Sequence, residues 1–192
     1  MKLVLSSCDF SHPMSRACIL ENLPKPIEEC QVLFIPNEKA NTQKILSGKY
    51  RQRLQDIGFS EALTFIFDEH SADAFRELPL DVIYVSGGNT FATLQKLRRC
   101  GFDKDLIRYV QNGVTYIGGS AGAHIATKNV AHVARYDAHP SDPCFDDFGL
   151  GLFDGILLCH YTKEREAHYK QLVSEGQYTV HVLRDGDSVV IE

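Results

Sequence analysis

Short, wholly apolar runs separated by longer amphipathic stretches constrain this chain more than any other feature. Val32-Leu33-Phe34-Ile35, Leu63-Thr64-Phe65-Ile66-Phe67, Val82-Ile83-Tyr84-Val85 and Val114-Thr115-Tyr116-Ile117 are compact and lack polar alternation. Each reads as a strand buried on both faces. Between them, Asn41 to Ile57 carries Ile45, Leu46, Leu54 and Ile57 among polar residues, and Thr90 to Arg99 carries Phe91, Leu94 and Leu97 at helical spacing. Asp103 to Gln111 is a further helix, ending at Asn112-Gly113. Strands alternating with helices predict an α/β fold, a three-layer sandwich with a mostly parallel central sheet. In the final third, Ile156 to Cys159 reads as a strand and Glu164 to Glu175 as a helix. Thr179 to Leu183 and Ser188 to Ile191 face each other across Arg184-Asp185-Gly186-Asp187. Asp-Gly is favourable turn chemistry, so this last pair predicts a C-terminal hairpin. At 192 residues, positions 1–192 are expected to form a single domain.

Composition narrows the function classes. The net charge is -5, and no basic run is longer than Arg98-Arg99. Nucleic-acid binding, which depends on clustered Lys and Arg, is not expected. Leu3-Val4-Leu5 is far shorter than an export signal or a membrane span, so no membrane partner and a cytoplasmic location are expected. The six cysteines are scattered without C-x-x-C spacing, which argues for reduced thiols rather than a disulfide framework or structural zinc. His132, Asp137, His139 and Asp142 match no standard ligand spacing either, and no metal is expected.

Chemistry enters at Gly118-Gly119-Ser120-Ala121-Gly122, which satisfies G-x-S-x-G, follows a strand and precedes a helix from Ala121 to Thr127. That is the context of a nucleophile elbow, where small neighbours permit the sharp turn that lifts a serine hydroxyl above the carboxyl edge of a sheet. A phosphate loop would require G-x-x-x-x-G-K-[ST], and the lysine is absent. A second turn, Ser86-Gly87-Gly88-Asn89-Thr90, ends the preceding strand. Its Gly88 N–H and the Ala121 N–H are the candidate oxyanion donors. The alternative for this turn is a plain one with Asn89 or Thr90 as helix N-cap, a role compatible with Asn89 as a substrate contact. Among eight histidines, His160 ends the strand Ile156 to Cys159 and so belongs at the same edge as Ser120. His124, one helical turn after Ser120, is the rival base, but it lies on the elbow's own helix and is better placed as a pocket wall or a satisfied helix histidine.

Ser86-Gly87-Gly88-Asn89-Thr90-Phe91, Tyr116-Ile117-Gly118-Gly119-Ser120-Ala121-Gly122-Ala123 and the strand-ending His160 together resemble the peptidase E (α-aspartyl dipeptidase) family of serine peptidases. The similarity runs from Met1 to about the C-terminus and is densest from Val82 to Ala126. The resemblance implies a class I glutamine amidotransferase-like fold and a Ser-His-acid hydrolase of short peptides, including dipeptides with N-terminal aspartate, with no cofactor. Leu183-Arg184-Asp185-Gly186 is similar to the family's Leu-Pro-Glu-Gly context and nominates Asp185 as the acid, with Asp137 as the alternative. The order Ser120, His160, Asp185 differs from the Ser, acid, His order of α/β-hydrolases. An amidotransferase would require cysteine at position 120. Aspartate-selecting members carry a longer arginine-bearing loop after the histidine, where this chain has Tyr161-Thr162-Lys163-Glu164-Arg165-Glu166. Arg165 is either a clamp for a substrate carboxylate or a member of helix-face pairs. The expected partner is a small peptide, for a chain acting as a monomer or weak homodimer. The competing reading is a non-catalytic amidotransferase-like module that holds a small acidic ligand at helix N-termini. The long loop from Val130 to Phe153 is expected to be functional, enclosing the crevice for short substrates.

Overall fold

In the computed structural model, which describes Met1–Glu192, the apolar runs become parallel strands in one sheet. These are β1 (Leu3–Ser6), β2 (Val32–Ile35), β3 (Thr64–Ile66), β4 (Val82–Val85) and β5 (Thr115–Gly119). Two short strands, β6 (Ile156–Leu158) and β7 (Val180–Val182), pair in parallel as a separate small sheet. The last strand, β8 (Ser188–Ile191), joins the main sheet antiparallel to β1, giving the order β3-β2-β4-β5-β1-β8.

Alternate residues of each buried strand feed two separate cores, which is why these runs are apolar without interruption. Leu3, Leu5, Leu33, Ile35, Ile83, Val85 and Tyr116 enter one core, and Val4, Val32, Phe34, Val82, Tyr84 and Ile117 enter the other. The second face is covered by α1 (Pro13–Glu21), through Ile19, and by a helix pair broken at Gly48, α2 (Thr42–Leu46) and α3 (Lys49–Ile57). The first face is covered by α4 (Thr90–Arg99), α5 (Phe102–Gln111) and α6 (Ala121–Ile125). A further helix, α7 (Glu166–Glu175), follows β6. The result is a three-layer α/β sandwich, as the alternation predicts.

The expected C-terminal hairpin does not form. The turn at Arg184 to Asp187 is present, closed by Asp187 N–H donating to the Arg184 carbonyl at 2.9 Å. It connects strands of different sheets, however: β7 pairs with β6, and β8 fills the open edge of β1. Local turn chemistry specifies the bend, whereas long-range edges choose the partners. The predicted helix over Asn41 to Ile57 is likewise two helices, because Gly48 sits at φ +78° and interrupts the right-handed helical path between them.

Register brings three loops together at the carboxyl edge. Ser6 pairs with Gly119 and Val85 with Gly118, so the segments after β1, β4 and β5 emerge side by side. Ser120 N–H donates to the Ser6 carbonyl at 2.9 Å. This edge is where the topology of an open α/β sheet places its ligand crevice.

Candidate active site

The elbow is built from close packing that only glycine permits. A Cβ on Gly122 would stand 2.2 Å from the Val85 carbonyl oxygen, and one on Gly118 would stand 2.5 Å from the Gly122 oxygen. Helix α6 therefore lies directly on β4 and β5, and the Tyr116 hydroxyl donates to the Gly122 carbonyl at 2.6 Å. Between these contacts Ser120 adopts φ +49°, ψ -107°, a region L-residues rarely occupy. Strain of this kind costs on the order of 1–3 kcal/mol and persists only where the surroundings enforce it.

Ser120 Oγ lies 2.9 Å from His160 Nε2, and His160 Nδ1 lies 2.7 Å from Asp185 Oδ1. The predicted Ser120, His160 and Asp185 thus form one continuous row. His160 is also strained, at φ +53°. Its N–H donates to Ser7 Oγ at 2.6 Å, and Ser7 in turn donates to the Leu183 carbonyl at 3.3 Å. Tyr161 N–H donates to the same carbonyl at 2.9 Å, stapling the histidine's segment to the strand that leads to Asp185. The hydrogen bond from His160, with a second from the Cys8 thiol, holds the Asp185 carboxyl below the usual carboxylate range. The row is open to water: the His160 side chain is 37% exposed and that of Asp185 63%.

Gly87 faces the elbow, its Cβ position 3.4 Å from Ser120 Cβ. Neither the Gly88 nor the Ala121 N–H donates to a protein acceptor. The loop after β2 fixes Gly88: a Cβ there would stand 2.4 Å from Glu38 Oε2, and that same oxygen accepts from Asn89 N–H at 2.8 Å.

The remaining candidates are placed differently. Asp137, the alternative acid, is not on the histidine; its Oδ2 accepts from Thr90 N–H at 2.8 Å, at the start of α4. Asn89 is the N-cap of that helix, accepting from Ala92 N–H at 2.8 Å and donating to the Ala138 carbonyl at 3.0 Å. His124 is 6% exposed, with Nδ1 3.4 Å from Thr90 Oγ1 and Nε2 unpartnered. Burial first, then repulsion from His132, His160 and Arg165, keeps its ring neutral. Arg165 makes no helix-face pair with Glu164, Glu166 or Tyr169. Its guanidinium donates to the Cys159 carbonyl at 2.5 Å and lies 3.9 Å over the Tyr136 ring. The Val130 to Phe153 loop packs along α4, through Asp137, Ala138 and the contacts of Arg98 with the Asp146 and Phe148 carbonyls. His132, Asp137, His139 and Asp142 do not converge; His139 instead pairs with Asp147 at 2.8 Å.

Three residues escaped the sequence reading: Ser7, Cys8 and Asp9. Their signal was available, a polar run directly after the buried strand Leu3 to Ser6, at the edge where Ser120 was already expected. Asp9, at φ +45°, packs under Gly119 and accepts from the Tyr84 hydroxyl at 2.8 Å. The largest cavity, about 780 Å³, is not centred on the row. It opens beside α3 and is lined by Lys39, Lys44, Lys49 and Arg53 against Asp56. Geometry and strain outweigh cavity size here, because reactive groups must touch, whereas volume alone specifies no reaction.

The family profile of peptidase family S51 matches residues 3–192. An uncharacterised peptidase of Pasteurella multocida is 43% identical over 83 residues, 43% of this chain and 40% of that protein. A Drosophila melanogaster protein provisionally named alpha-aspartyl dipeptidase is 30% identical over 186 residues, 90% of this chain and 74% of that protein. A crystal structure of a Listeria monocytogenes protein, provisionally assigned to peptidase E, superposes with a TM-score of 0.75 at 27% identity. It covers 99% of this chain and 93% of that one. The chain spans about half the length of the bacterial curated relatives it matches.

Proposed function

This chain belongs to peptidase family S51, and from that premise we propose that it is a serine peptidase that cleaves short peptides through an acyl-enzyme. The observation that carries the reading is the unbroken row from Ser120 Oγ through the His160 ring to Asp185, with Ser120 held at a positive φ. His160 Nε2 accepts the serine proton as Oγ attacks the scissile carbonyl. Asp185 holds the imidazole in the tautomer with its proton on Nδ1 and stabilises the cation that forms. The free N–H groups of Gly88 and Ala121 stabilise the oxyanion, and His160 then protonates the leaving amine. Water deacylates the serine by the same route in reverse.

For substrate choice, Arg165 supports a preference for an N-terminal aspartate. Its guanidinium is held beside the strand end that carries His160, and its bonds go to a carbonyl and an aromatic face rather than a carboxylate. It therefore keeps donors for a planar bidentate partner. A dipeptide library assayed on the purified protein tests this. Cleavage of Asp-X over Asn-X by about tenfold or more supports the clamp, and equal rates overturn it. A serine-directed phosphonate tests the triad: labelling of wild type, lost in Ser120→Ala and His160→Ala, supports it. Equal labelling of all three defeats it.

A further inference from the structure

Acyl transfer makes no use of the Cys8 thiol, yet three separate segments bring it to the reactive row. Cys8 follows β1, His160 follows β6, and Asp185 lies in the turn between β7 and β8. One Cys8 Sγ, one His160 ring nitrogen and one Asp185 carboxylate oxygen all lie within 4.8 Å of one another. We propose that Cys8, His160 and Asp185 form a Zn²⁺ site whose occupation switches the enzyme off.

The donor set selects the ion. Thiolate, imidazole and carboxylate together suit zinc, whereas Mg²⁺ and Ca²⁺ require oxygen ligands. Bonds of about 2.3 Å to sulfur and about 2.0–2.2 Å to nitrogen and oxygen place tetrahedral donors roughly 3.3–3.7 Å apart. The Nδ1 to Oδ1 pair at 2.7 Å must open by roughly 0.6–1 Å, and the sulfur pairs, which lie within 4.8 Å, close by at most about an ångström. The exposed Asp185 side chain has the freedom to do this, and the same exposure gives the ion an entry path. Three protein donors leave one position of the tetrahedron for water.

Inhibition follows from proton bookkeeping. In the free enzyme His160 carries its single proton on Nδ1, toward Asp185, and accepts from Ser120 at Nε2. When Zn²⁺ takes the Nδ1 lone pair, the proton moves to Nε2 and the thiol releases one proton to solvent. Thiolate and carboxylate neutralise the ion's two charges. The imidazole stays neutral, but Nε2 now donates and cannot accept the serine proton. Binding itself stands on the cluster alone, whereas the switching consequence rests on the proposed peptidase mechanism.

Co²⁺ titration of the full chain reads the site independently of activity, because a thiolate ligand gives a charge-transfer band in the near ultraviolet. Wild type is expected to show this band, with Zn²⁺ displacing Co²⁺, and Cys8→Ser to lose it along with about tenfold or more of the Zn²⁺ affinity. In parallel, Zn²⁺ is expected to block phosphonate labelling of wild type, with recovery on chelation, and Cys8→Ser is expected to label at the same rate with and without Zn²⁺. Absence of the band in wild type overturns the proposal even if the variant fails to fold. Persistence of the band in Cys8→Ser assigns the metal to another thiol and overturns it equally, and a thiolate-bound metal that leaves labelling untouched overturns the switch. If wild type is not labelled even without Zn²⁺, the peptidase reading fails while the cobalt spectrum still decides the site.

Discussion

At the residue scale, the reactive row depends on groups of unequal exposure. Asp185 is largely exposed, so water competes with its hold on His160. Asp185→Asn is expected to slow acylation by about 10²-fold to 10⁴-fold, toward the lower end, since a buried acid orients its histidine more strictly. Phosphonate labelling rates measure this directly. Ser7→Ala removes the acceptor of the His160 N–H and should slow labelling roughly tenfold, equivalent to about 1.4 kcal/mol, without abolishing it. An unchanged rate would show that the strained histidine holds its position without Ser7. Ser120, His160 and Asp185 were legible because each sits at a strand end or a marked turn. Ser7 and Cys8 stand in a polar run that marks the same sheet edge, but their partners lie more than a hundred residues away in sequence, so the run locates them without naming what they touch.

At the scale of elements, legibility followed burial. Strands buried on both faces announce themselves as unbroken apolar runs, and α4 and α5 as apolar stripes. Helix α1 did not, because only Ser15 and Ile19 of its residues are buried and Met14 and Leu20 face solvent. Its one local signal was Pro13 at the first turn after His12. The hairpin failed for another reason: β8 adds Val189 and Ile191 to one core and Val190 to the other only when paired with β1. Glycines divide by the same logic. Gly122→Ala drives a methyl into the Val85 carbonyl and should destabilise by about 2–3 kcal/mol. Gly48→Ala meets no neighbour within 4 Å and bears only the strain of φ +78°, about 1 kcal/mol. Urea midpoints of the two variants, compared with wild type, test the ordering.

At the scale of the whole molecule, three histidines tie the elbow helix to α7. The His124 and His132 rings lie 5.7 Å apart, and those of His132 and His168 6.3 Å apart. Burial depresses all three, His132 from the ordinary 6.5 to about 4. A depressed histidine binds protons in the unfolded chain before it does so in the folded one. Stability is therefore complete above about pH 6.5 and falls as pH drops toward about 4. His132 alone accounts for up to about 3 kcal/mol of this loss. His132→Gln, which keeps a donor for the Leu157 carbonyl, should flatten the dependence of the urea midpoint on pH across that window. A midpoint equally steep in the variant would move the effect to His124 and His168. The alternation of strands and helices revealed the layers, but not the strand order, which depends on which edges remain free once the sheet assembles.

Three residues outside glycine occupy positive φ: Asp9, Ser120 and His160, all around one edge. Glycine would relax each backbone at once, so selection for durability alone opposes the side chains that are kept there. In any lineage of this fold released from the need to turn over substrate, positions 120 and 160 should drift toward glycine, and the molecule should grow hardier as it falls silent.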